Sequence, residues 1–296
     1  MLGELVGRPC NYLREVDPLE MNLLVAQALP ELSDLEIGLY RQRADQWAED
    51  IRQRLTDFEA EFHRSPRDWK DDIRFFRLGV LCWYVVEILG VKYREEQREL
   101  RSVLYTNPSD LFLNGVMDTR QGTCGNMAAL HAALAWRLGW PLHLACAGPH
   151  IFCRYDDGEA VYNIECTNNG RGGFQSHPDD YYKEQYGLPE MAVECGSDLR
   201  ALSPRETLGL FFGLRGRHWE DVGRLNEAEV DYLWARVMYP RSRRLYMAQI
   251  GVSIEAGERR FVRGERGHRQ GLLDWLVGRI APIERPVAVF QINAGG

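Results

Sequence analysis

The sequence predicts an α+β protein: a helical N-terminal part, a core of one helix followed by a small antiparallel sheet, and a C-terminal part of helical hairpins. Apolar residues recur at helical spacing through most of the region before Gly122. Glycines, turn dipeptides and two short strand-like runs then take over as far as Cys166, and helical spacing returns beyond Ser203. The implied divisions are residues 1–106, 107–200 and 201–280, with a tail at 281–296.

The elements follow in order. An apolar stretch from Pro18 to Leu29 stops at Pro30. Between Asp34 and His63, Leu39, Trp47, Ile51, Leu55, Phe58 and Phe62 alternate with charged residues. They predict an amphipathic helix capped by Ser33 or Asp34 and ended by Ser65-Pro66. Leu78 to Leu89 reads as a buried helix, and the charged run Lys92 to Arg101 as a solvated helix face or exposed connection. Asn107-Pro108-Ser109-Asp110 is a loop or cap signal. Met127, Leu130, Leu134 and Leu138 mark a helix that begins close to Cys124 and ends near Gly139-Trp140-Pro141. Two strands follow, His150–Tyr155 closed by Asp156-Asp157-Gly158, and Ala160–Cys166 closed by Asn168-Asn169-Gly170. Further helices are expected over Glu206–Leu214, Glu227–Tyr239 and Leu245–Glu255, where Gly209, Trp219, Ala228 and Pro240 are residue types that helical-hairpin repeats use. The tail, with a strand-like run at Val287–Phe290, reads as a frayed end.

Composition narrows the function. A chain of 296 residues with 45% hydrophobic content can bury a substantial core without disulfides. Its seven cysteines, at 10, 82, 124, 146, 153, 166 and 195, form no CxxC pair, which suits a reducing compartment. Met1 to Leu5 show no secretory pattern, so a cytoplasmic location is expected. The apolar run Leu78–Val91 is interrupted by Glu87 and falls short of the roughly 20 residues that cross a bilayer, so no membrane association is expected. A net charge of −7 argues against nucleic acid as the main partner, although Arg241, Arg243 and Arg244 form a local basic patch.

Chemistry centres on Gln121-Gly122-Thr123-Cys124-Gly125-Asn126, where a cysteine lies between glycines at the mouth of a helix. Glycines allow sharp turns and close approach to a ligand. Free N–H groups and the positive end of the helix dipole lower a thiol pKa and can hold an oxyanion. Gln121 and Gly125 are the accompanying oxyanion or substrate-binding candidates. His150 opens a strand directly after Gly148-Pro149, and Glu165 lies near the matching end of the next strand, where its carboxylate could accept the imidazole N–H. Cys82, Cys146 and Cys153 read as packed residues, and His131 and His143 as packed or surface groups. Without CxxC or HxxxH spacing no metal site is expected, and no cofactor motif is present.

The run Gly122 to Leu130, then His150, then Tyr162-Asn163-Ile164-Glu165-Cys166-Thr167, resembles the transglutaminase-like superfamily, whose members use Cys, His and Asp in that order. The resemblance implies that Cys124, His150 and Glu165 occupy those positions in a papain-like core. More of the chain, including Phe112 to Gly122, Ala135 to Gly139, Gly148 to Arg154 and Leu202 to Glu206, resembles the bacterial SirB-type branch, which adds a tetratricopeptide-like tail. Glu165 replaces the usual Asp and reaches one methylene farther; Phe152 stands where many relatives have tryptophan. Two functions are implied. One is acyl transfer on a protein or peptide amide, by hydrolysis, deamidation or transamidation. The other is a non-catalytic scaffold that docks a protein partner through the C-terminal helices.

Overall fold

Prolines and capping side chains set the ends of the N-terminal helices. The computed structural model describes residues 2–8, 10–94, 96, 104–167 and 172–262. The expected tail at 281–296, the turn at Asn168-Asn169-Gly170 and most of 95–101 lie outside the described residues. Helices α1 (Leu2–Gly7) and α2 (Cys10–Leu13) lead to α3 (Pro18–Gln27). Asp17 caps α3 by accepting the Leu19 N–H at 2.8 Å, and Pro18 fits the first turn, where no N–H donor is needed.

Helix α4 (Ile37–Arg64) begins later than Asp34, and neither Ser33 nor Asp34 caps it. The Ser33 hydroxyl turns back to the Pro30 carbonyl at 3.0 Å instead, within a short 3₁₀ turn. Its buried face is Ala44, Trp47, Ala48 and Ile51, while Leu39 is exposed. Helix α5 (Ile73–Trp83) starts earlier than the apolar run, at the Asp72 cap, and finishes in one π turn at Tyr84–Ile88. Lys92 and Tyr93 are neither a helix face nor an open connection. They form β1 (Lys92–Tyr93), parallel to β2 (Gln121–Gly122), because the Lys92 and Arg94 N–H groups reach the Arg120 and Gly122 carbonyls at 2.9 Å.

After α6 (Leu113–Thr119) and β2 comes α7 (Cys124–Arg137), the helix around which the core assembles. Gly125 through Ala135 are all buried. Helices α3, α4 and α6 pack against it, and so do the first two strands of the main sheet. That sheet is antiparallel in the order β3 (Leu142–Ala147), β4 (His150–Asp156), β5 (Val161–Ile164), β6 (Ser176–His177). Strand β3 was not expected because Leu142–Ala147 lacks apolar–polar alternation. It contacts both α7 and α8 (Asp179–Tyr186), and a strand covered on both faces reads as a continuous apolar run. Ala147 pairs with His150 across Gly148-Pro149, and Gly148 supplies the positive φ of 58° that the reversal needs.

A short helix α9 (Glu190–Glu194) precedes three long ones, α10 (Pro204–Asp221), α11 (Leu225–Met238) and α12 (Arg243–Val262), all longer than the spacing alone indicated. Ser203 and Glu206 form a capping box at the start of α10. Helix α10 packs on α11 and on α3, and α11 on α12. Arg215 joins three of these helices: its guanidinium holds Asp231 at 2.7 and 2.6 Å and donates to the Val25 carbonyl at 2.9 Å, all buried. Among the described residues no helix is long and apolar enough to cross a membrane.

Truncating Arg215 leaves Asp231 buried and uncompensated. Arg215→Ala is therefore expected to lose about 3–5 kcal/mol in denaturant unfolding; a loss under about 1 kcal/mol would show that the pair does not hold α10, α11 and α3 together.

Candidate active site

Cys124 is the first residue of α7, and the turn before it is tied down by buried side chains. The Asn126 side chain accepts the Thr123 N–H at 2.8 Å and donates to the Ser109, Asp110 and Phe112 carbonyls at 3.3, 3.1 and 3.3 Å. The Thr123 hydroxyl donates to the Asp110 carbonyl at 2.8 Å. Neither flanking glycine has a positive φ, so a sharp turn is not why they are present. A Cβ on Gly122 would fall 2.5 Å from Met127 Cγ and 2.7 Å from Asn126 Oδ1, so the brace leaves no room for a side chain there. At Gly125 the nearest atom would be Leu214 Cδ1 at 3.4 Å, an ordinary contact.

The β3–β4 turn delivers His150, the first residue of β4, to the thiol. Glu165 follows the last residue of β5, and its N–H donates to the Gln175 carbonyl at 2.9 Å. His150 Nε2 lies 2.8 Å from Glu165 Oε2, both side chains being buried. This leaves Nδ1 for Cys124, which is near enough that each group shifts the other's pKa. The other carboxylate oxygen, Oε1, accepts the Thr167 N–H at 2.9 Å and its hydroxyl at 2.6 Å. The extra methylene of Glu165 is thus accommodated. Tyr186 stacks on the imidazole at 5.1 Å with an interplanar angle of 11°. Gln121 lies exposed on β2, three residues before the half-buried Cys124.

The charges follow from these contacts. Burial raises the Cys124 pKa, but the His150 hydrogen bond and charge, the Ile151 N–H and the Arg244 charge together bring it below its ordinary value. Burial opposes charge on His150 too, yet its bonds to Cys124 and Glu165 push its pKa up to about 10. Glu165 loses solvation, and His150 and Thr167 more than offset this, so it stays ionised below the usual range. Both shifts act in the direction of a thiolate beside an imidazolium. By contrast, Cys146 is driven up to about 12, and Cys82 and Cys166 well above the ordinary thiol value, each chiefly by burial. Cys153 is buried and points its thiol at the Ala128 carbonyl. Among the described residues no group of three or more His, Cys, Asp or Glu is placed to hold a metal ion.

A family model described as the transglutaminase-like superfamily matches residues 39–209, more than half of the chain. The chain belongs to the transglutaminase-like superfamily. Neither the curated proteins nor the solved structures yield a match. The matched span of this transglutaminase-like chain starts in α4, includes Cys124, His150 and Glu165, and ends within α10.

Three residues at the site were given no role by the sequence. Thr167 carried a local signal, a hydroxyl two positions after a carboxylate. Asn126 stood at the third helical position after Thr123, where a capping side chain belongs. Tyr186 carried none, because only the packing of α8 over β4 brings it to His150.

Two measurements follow. Gly122→Ala is expected to destabilise the protein by about 1–3 kcal/mol through overpacking, whereas Gly125→Ala is expected to be neutral or slightly stabilising; similar melting temperatures for the two would refute the packing account. The lowered Cys124 pKa and the raised His150 pKa both favour the ion pair, whose thiolate is lost as pH falls through the Cys124 value and whose imidazolium is lost above about pH 10. Iodoacetamide should alkylate Cys124 at pH 7 at least about tenfold faster than the exposed Cys195, with the midpoint of its pH–rate profile below the ordinary thiol value. A Cys124 profile whose midpoint lies at or above the ordinary thiol value would contradict the ion pair.

Proposed function

We propose that this chain is a cysteine-dependent acyl-transfer enzyme acting on a protein or peptide amide. The single observation that carries the reading is the imidazole of His150, held by Glu165 at 2.8 Å and near enough to Cys124 for each to shift the other's pKa. The thiolate attacks the amide carbonyl carbon, forming a C–S bond, while the carbonyl electrons move to oxygen. The Cys124 N–H at the start of α7 and the Gln121 side chain are the donors for that oxyanion. Imidazolium gives its proton to the leaving nitrogen as the C–N bond breaks, and a thioester remains. Water or a second amine then attacks the thioester, His150 takes its proton, and the C–S bond breaks to restore the thiolate. Glu165 keeps Nε2 protonated and the ring in place throughout.

Likeness to the SirB-type branch, and three long helices after Ser203, support reading α10 to α12 as tetratricopeptide-like. The free thiols favour the cytoplasm. A second reading, a protein-docking scaffold without catalysis, is favoured by one feature. Val230, Leu233, Trp234 and Val237 form an exposed apolar stripe along α11 at helical spacing.

Incubation with glutamine-containing peptides, read by intact mass and ammonia release, tests the enzyme. The wild type is expected to form an acyl adduct on Cys124. Cys124→Ala should abolish it, and Glu165→Gln should slow turnover by about 10²–10⁴-fold, with folding preserved in both. Peptide libraries that yield neither adduct nor product, together with slow alkylation of Cys124, would leave the scaffold reading.

A further inference from the structure

A cavity of about 480 Å³ opens beside His150, between the end of α8, α10 and the start of α12. Tyr186 belongs to both places: it lines the cavity and stacks on the imidazole. Arg244 lines the cavity and donates to the carbonyl of Pro149, the residue before His150, at 3.0 Å. Leu214 lines it and packs against Gly125. The cavity therefore shares walls with the thiol site.

Its chemistry is two-sided. Leu188, Leu214 and Leu245 supply apolar wall, and Arg217, Arg243 and Arg244 supply cations. Arg217 is held by Asp221 at 2.8 Å. Of the acids that face the cavity, Asp198 accepts the Gly148 N–H at 2.6 Å and Glu220 the Tyr232 hydroxyl at 2.7 Å, and neither is paired with Arg243 or Arg244. Arg243 and Arg244 have no carboxylate partner among the described residues. Two guanidiniums beside an apolar wall match a ligand that joins a carboxylate to an apolar side chain.

The side of the sulfur on which the cavity lies assigns the part of the substrate. The imidazolium must reach the leaving nitrogen, so whatever that nitrogen carries lies on the imidazole side. The geometry points to this cavity as the amine-side subsite, selecting a leaving or accepting amine that bears a carboxylate next to an apolar side chain, with Arg243 and Arg244 as the specificity residues. This rests on the reading of Cys124 as the nucleophile, but the binding itself needs no thiol.

Titration calorimetry on Cys124→Ala tests it with three probes: N-acetyl-leucine, its uncharged counterpart N-acetyl-leucinamide, and N-acetyl-glutamyl-leucinamide, whose carboxylate is on a side chain. At least one acid is expected to bind about tenfold tighter than N-acetyl-leucinamide, and which one does so tells whether a terminal or a side-chain carboxylate is preferred. Adding Arg243→Gln and Arg244→Gln together should erase the difference. The single change Arg243→Gln, at an exposed position, should reduce it even where the double variant folds poorly. Equal affinity of acids and amide, no binding of any probe at millimolar concentration, or a preference that survives the Arg243→Gln change and the double change overturns the subsite. Alkylation of Cys124 in the unmodified protein reports separately on the nucleophile.

Discussion

One imidazole with two partners is the constraint on which this architecture turns. A histidine ring has two nitrogens on opposite edges, so engaging a sulfur and a carboxylate together fixes its position and tautomer. That demand reaches back into three separate elements. Strand β4 must start at His150, β5 must stop just before Glu165, and α7 must present Cys124 in its first turn. The two-residue Gly148-Pro149 reversal meets the first requirement and the Asp157-centred turn between β4 and β5 the second. The Asn126 brace meets the third.

Rigidity around the site comes from packing rather than from covalent links. Tyr186 and Phe152 lie parallel to the imidazole, and Tyr182 stacks on Phe152 at 4.2 Å. An aromatic face over an imidazolium excludes water and favours the positive charge. The cost of burying three ionisable groups is met by opposite charges in contact and by the two Thr167 donors, so none is left without a partner. Behind the site, Arg215 fastens the C-terminal helices to α3, and Arg244 at the start of α12 reaches the Pro149 carbonyl. The helices after the sheet are thus part of the site's wall.

The sequence alone determined what depends on near neighbours. It placed the start of α7 at Cys124, the hairpin that brings positions 150 and 165 to one end, and the alternation of helical and strand-rich regions. Caps, turn residues and periodicity act over a few positions and can be read in order along the chain. It misplaced the start of α4 because Ser33 and Asp34 are good caps by type, and only the Pro30 turn diverts the Ser33 hydroxyl. It missed β3 because burial on both faces removes the alternation by which strands are recognised.

Only the tertiary structure decided the rest. Pairing of Lys92 with Gln121, the stacking of Tyr186 on His150, the need for glycine at 122 and the reach of Arg215 to Val25, 190 residues away, all depend on surfaces meeting in space. No local rule encodes such contacts, since each arises only when the main core closes around α7 and the smaller cluster closes between the sheet and α8. The order Cys124, His150, Glu165 was legible as a pattern; the distance between imidazole and carboxylate, and the charges that follow from it, exist only once that core has closed.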